Sequence, residues 1–179
     1  MPLALSWAIE DEFVARAQRP LLFGAFQQRR YFARAEARWT ELARRSRATY
    51  AFGEFGGTVP AAPGSGILSV DLGPGEPMGS EWAVVCDAVD LPVALTAWEL
   101  PGQSEVRDRH RLFEALWTVE PRAVRDAARV CARVAQEHGV AEATPLLYEL
   151  ADDPLPGALD ARSVTTLFNR VVAYVDRFG

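Results

Sequence analysis

The chain contains no lysine: all 19 of its basic residues are arginine. Ile and Asn are scarce, while Ala, Val and Arg abound. That imbalance is the pattern of a GC-rich bacterial genome, so arginine reports codon supply before it reports anion binding. Only two cysteines occur, Cys86 and Cys131, far apart and outside any C-x-x-C pair. With neither a disulfide framework nor a secretory apolar segment, the expected compartment is the cytoplasm. Both lie in apolar sequence, AVVCDA and ARVCARV, and are expected to be small buried hydrophobes. No apolar run approaches the roughly 20 residues that cross a bilayer, so no membrane partner is expected. Nor is there an excess of positive charge. The net charge of −5 argues against direct contact with nucleic acid.

Catalytic patterns are missing too. There is no phosphate loop, no G-x-S-x-G elbow and no H-E-x-x-H zinc motif. GPGEPMG at 73–79 has glycine spacing related to a dinucleotide fingerprint, but two prolines interrupt it and a strand follows. A pyrophosphate site needs a helix N-terminus there, so the segment reads as a flexible loop. His110 and His138 lie in charged surroundings without metal-like partners and are expected at the surface, His138 at a helix C-terminus. Asp152 and Asp153 fall in a turn, where Asp is favoured for local hydrogen bonding. No nucleophile comes with a base. The expected function is non-enzymatic, with no metal, and no cofactor is indicated.

What is present describes one domain with its own core: 179 residues, 49% hydrophobic and 24% charged. The periodicity predicts a helix over 3–18, a strand in LLFGAF ending at Gln27, a helix over 32–46 and a strand over 49–55. Gly/Pro-rich loops at 56–80 flank a strand in ILSVDL; loops of that length are often mobile or functional. EWAVVCDA and VALTAWEL form an expected hairpin around Val89 to Pro92, and LFEALWTVE is a further strand. Pro121 opens a long helix that Gly139 stops. A shorter helix follows at 143–151, and a last helix covers 161–178. The expected fold is α+β, a central, mainly antiparallel β-sheet flanked by helices with a C-terminal helical extension. Residues 1–138 form the expected main domain and 139–179 the extension, which packs on that domain or on a partner. The apolar stripe Val164, Leu167, Val171 and Val175 decides between the two.

Two features can bind something. At a strand-to-helix junction, Gln28, Arg29 and Tyr31 place arginine and helix N–H groups where an anionic ligand can meet them. Arg30, Arg34 and Arg38 follow at four-residue intervals, either as an anion site or as a solvated face balanced by Glu36 and Glu41. Trp82, Trp98 and Trp117 each lie on a predicted strand, with Glu99 beside Trp98. Large rings with polar neighbours suit a small-molecule pocket, and they suit an ordinary core equally. The candidate ligand-binding set is Gln28, Arg29, Tyr31, Trp82, Trp98, Glu99 and Trp117.

The succession AFQQRRYFARAEARWTELARRSRATYAFGEF, EWAVVCDAVDLPVALTAWELPG and DRHRLFEALWTVEPRAVRDAARVCA resembles the DICT sensory domain family over Arg19 to Ala135. The resemblance implies an α+β sensory input module that carries no catalytic residues and usually stands beside an output domain. No output domain is legible in this sequence. The expectation is therefore a separate output protein acting in trans (a cyclase, a kinase or a transcription regulator) or a homodimer whose state is read by another protein.

Overall fold

The computed structural model describes residues 2–57, 61–103, 105–107, 111–154 and 161–178, with backbone alone for Pro2, Leu3 and residues 175–178. His110 and the side chain of Val175 lie outside the described set. Six strands form one sheet: β1 Leu21–Gln28, β2 Ala48–Glu54, β3 Ile67–Asp71, β4 Glu81–Asp87, β5 Val93–Glu99 and β6 Phe113–Thr118. Five α-helices accompany them: α1 Pro2–Ile9, α2 Arg29–Ala43, α3 Pro121–Glu137, α4 Ala143–Glu149 and α5 Ala161–Phe178.

The strand order is β3-β2-β1-β4-β5-β6. β1, β2 and β3 run parallel, and β4, β5 and β6 continue antiparallel from β1. The α+β class stands and three of the five strand pairings are antiparallel, but the sheet is mixed rather than purely antiparallel. The reason is the crossover. Fifteen residues of α2 between β1 and β2 carry the chain back to start a parallel neighbour, which a hairpin cannot do.

Apolar alternation along the strands builds two cores, one on each face. Leu22, Ala51, Val84, Cys86, Val93 and Leu95 pack beneath Phe13, Trp39 and Leu167, brought by the N-terminal segment, α2 and α5. Phe23, Tyr50, Phe52, Val85 and Ala94 pack beneath Val124, Ala128, Cys131 and Leu146 of α3 and α4. Glu120 caps α3, accepting from the N–H groups of Arg122 and Ala123 at 3.0 and 2.6 Å. Both cysteines are free and buried. Burial pushes the Cys131 thiol up to about 12 and raises the Cys86 thiol as well, so neither is reactive at neutral pH.

The N-terminal helix is not continuous over 3–18. It ends at Ile9 and opens into a π-helical turn, Glu10–Val14. The turn spreads three consecutive acids towards two helices. Arg38 of α2 binds Glu10, and reaches Asp11 at 2.7 Å and the Trp7 carbonyl at 3.2 Å. From α5, Arg170 meets Glu12 at 2.7 Å and the Tyr174 hydroxyl donates to Asp11. Arg38 is thus a clamp between elements, not part of a solvated face. Glu36 and Glu41 serve elsewhere, at the Ala62 N–H and Arg44.

On α5, Leu167 is fully buried and Val171 packs against the same core, while Phe168 and Val172 face outwards. Of the predicted stripe, Leu167 and Val171 turn inward, while Val164 is half-buried.

Candidate functional site

One end of the sheet collects most of the irregular chain. The C-termini of β1, β2, β3 and β5 and the N-termini of β4 and β6 all stand there. So do the first turn of α2 and the connections after β2, β3 and β5. In sheets with parallel strands, this carboxyl end is where crevices form and ligands bind.

The connection from β3 to β4 crosses that end. It passes over β2 and β1 as a 3-10 turn, Pro77–Ser80, and the Gln27 side-chain amide donates to the Ser80 carbonyl at 2.9 Å. Gln27 itself adopts φ 59°, the left-handed region, at the irregularity where β1 leaves its register with β2. A non-glycine residue held there marks a segment whose surroundings dictate its shape. GPGEPMG is therefore a strap tied across the sheet end, where its composition suggests a flexible loop.

Beside the strap lies a cleft of about 490 Å³, lined by Glu54, Gly56, Gly57, Asp71, Leu72, Gly73 and Pro74. Gly56 and Gly57 hold φ 73° and 77°, so consecutive N–H groups point one way. The Asp71 carboxylate fills that nest, accepting from Phe55 at 2.6 Å, Gly56 at 3.1 Å and Gly57 at 2.5 Å. None of the seven candidate ligand-binding residues lines this cleft, although Gly73 and Pro74 of GPGEPMG do. Its signal was the Gly/Pro-rich composition of 56–80, which marks loops without saying which side chains they enclose.

The strap is tied to α3 by an ion pair. His138, at the C-cap of α3, contacts Glu76 through Nε2 at 2.9 Å and the Val134 carbonyl through Nδ1 at 2.8 Å. The Glu76 carboxylate holds the His138 ring above its usual pKa, and His138 holds Glu76 below the usual carboxylate range. The raised His138 pKa contributes stability that is complete below its ordinary 6.5 and is lost as pH rises through the folded value. Glu76 contributes above its ordinary 4.5, and that part is lost as pH falls through its lowered value. The tie is therefore expected to hold between those limits and loosen in mild alkali. Amide exchange of 73–80 should speed up as His138 deprotonates, and His138→Gln should abolish that pH dependence. An exchange profile identical in wild type and variant would sink the assignment.

The structure gathers part of the candidate set. Gln28 occupies the N-cap position of α2 without a side-chain capping bond, followed by Arg29 and Tyr31 in the first turn, with Arg30 donating to the Tyr31 hydroxyl at 3.0 Å. Trp82 opens β4, and Trp98 and Glu99 close β5, at the same end. Glu99 is held by Arg111 at 3.0 Å. Pairing registers then separate the tryptophans. Trp82 aligns with Phe26 and Ala97, and Trp117 with Leu95, on the face covered by α1 and α2. Trp98 aligns with Glu81 and Glu114, on the face covered by α3. Trp117 also sits four residues along β6 from Phe113, away from the loops. The three rings do not converge.

Among the described residues, no group of three or more His, Cys, Asp or Glu is placed to hold a metal ion, and no helix is long and apolar enough to cross a membrane. No curated protein and no solved structure matches the chain. Residues 3–100 match DICT, a family described as a sensory domain in diguanylate cyclases and two-component systems. The matched span starts with α1, ahead of the Arg19 start of the resemblance, and ends just after β5, leaving β6 and α3 outside it. Covering more than half of the 179 residues, it settles the family: the chain is a member of the DICT sensory domains.

Proposed function

We propose that this chain is a cytoplasmic, non-catalytic bacterial sensory domain that binds a small molecule at the loop-bearing end of its sheet and signals to a separate output protein. Residues 1–138 form the sensory unit on this reading, and 139–179 the extension that reports its state.

The carrying observation is the position of α2. Its first turn, with Arg29 and Tyr31, stands at the loop end of the sheet, the end that also carries Gln28, Trp82 and Glu99. Its third turn carries Arg38, which holds Asp11, the acid that also accepts from Tyr174 of α5. A ligand that shifts α2 therefore acts on α5 through charged groups, without rearranging the sheet. That is differential contact with two states, which a sensor requires. Phe168 and Val172 give α5 an outward apolar surface on which an output protein can read the change. The same surface supports the alternative, an interaction module with no ligand.

Native mass spectrometry of the freshly purified chain, against its denatured mass, tests for a ligand directly. Trp82→Ala is expected to weaken retention of that ligand about tenfold, or about 1.4 kcal/mol. The variant should stay folded because Trp82 is only half-buried. Unchanged affinity removes Trp82 from the site. A clean native mass favours the ligand-free module.

A further inference from the structure

We propose that β6 is a docking edge for a second copy of this chain, paired antiparallel across a two-fold axis at Ala115. The proposal stands independently of the ligand reading. The sheet extends one strand beyond its helical layers. Every strand from β1 to β5 buries residues on at least one face, whereas no residue of β6 is buried. Leu116 is 57% and Trp117 38% exposed, on opposite faces, and Leu112 just before the strand is 63% exposed. The other edge strand, β3, buries Ile67 and Val70. An apolar edge open on both faces is a template for strand addition.

The unpaired groups can be placed. The Leu100 N–H donates to the Leu112 carbonyl at 3.0 Å, fixing Leu112 as a hydrogen-bonded partner of the β5 side. Antiparallel alternation then directs the backbone groups of Glu114, Leu116 and Thr118 towards β5. Those of Phe113, Ala115 and Trp117 point outwards. These three positions are symmetric about Ala115, so a second β6 can satisfy all of them at once, Phe113 pairing with the copy's Trp117 and Ala115 with itself.

Charge selects the same register. Centred on Ala115, Glu114 faces Leu116 of the copy. Centred on Glu114, it would face its own carboxylate, and centred on Trp117 it would face Glu120; like charges directly opposite are destabilising. Centred on Leu116, Phe113 would face Val119, past the end of β6 at Thr118. The occupant that fits is therefore the strand's own copy, continuing the antiparallel half of the sheet.

Sedimentation velocity on the full chain over a concentration series is the test, with circular dichroism to confirm folding. The wild type should approach twice the 19.7 kDa chain mass. Ala115→Pro removes only an outward N–H, so it should give folded monomer. Ala115→Asp, at an exposed position, should do the same by placing two carboxylates at the axis. Mixing Ala115→Asp with Ala115→Lys should restore the dimer as a heterodimer. A wild type monomeric at every concentration, a dimer indifferent to both single variants, or failure of the mixed pair to associate would each overturn the proposal.

Discussion

Gly24→Ala is expected to destabilise the protein by about 3 kcal/mol, near the upper end of what overpacking a core usually costs. Gly24 lies in β1 with the indole of Trp39 directly on its Cα. A Cβ there would come within 2.8 Å of both Cζ2 and Cζ3 of that ring, and closer still to Cη2. The ring has no retreat. Trp39 is fully buried and meets Phe26 edge-on at 4.9 Å, so making room means lifting α2 off the sheet. For a domain of this size the loss corresponds to roughly 6–12 °C in Tm. Trp39→Phe should rescue much of it, because phenylalanine lacks the outer indole atoms. That change also removes Nε1, a buried donor with no hydrogen-bond partner among the described residues. Thermal unfolding of the two single variants and the double variant gives the coupling directly. A Gly24→Ala protein that melts with the wild type would show that α2 yields freely, and the route from the loop end to α5 would lose its rigid lever.

That packing shows where sequence reading stops. LLFGAF was legible as a strand, but one glycine in it does not say which ring lies above. The elements set by local pattern came through: α3 behind Glu120 and Pro121, the β4–β5 hairpin, and strands at 49–55 and 67–72 that differ from the structure only at their ends. Pairing did not, because periodicity shows which face of a strand is apolar and not which strand lies beside it. The parallel order β3-β2-β1 was hidden for that reason, although α2 between two strands carried the signal of a crossover. The tryptophans failed in the same way: only the β4–β5–β6 register reveals that Trp98 and Trp117 occupy opposite faces. The partners of Arg38 were invisible on different grounds. Glu10 and Asp11 lie 28 and 27 residues away on a π turn that helical spacing does not predict.

Arg38→Ala is expected to cost about 2–3 kcal/mol at neutral pH. Breaking a buried ion pair typically costs 3–5 kcal/mol, and the lower figure reflects the third of the Arg38 side chain that water already reaches. Glu10 is 4% exposed and keeps only the Ser6 hydroxyl at 2.9 Å. Burial already raises the Glu10 pKa above its ordinary 4.5, and Arg38 opposes that rise. Without Arg38 the value climbs further, and Glu10 is driven towards its neutral form. An acid with a raised folded pKa stabilises most when protonated, and loses that stability as pH climbs from its unfolded to its folded value. The deficit of Arg38→Ala relative to wild type should therefore be small where Glu10 is protonated, below its ordinary 4.5, and grow as pH rises above that into the neutral and mildly alkaline range. Glu10→Gln in the same background should flatten that dependence. Urea midpoints across this range decide the matter. A deficit constant with pH would mean that Arg38 contributes packing alone, and a charge clamp between α2 and α5 could not be the path of a signal.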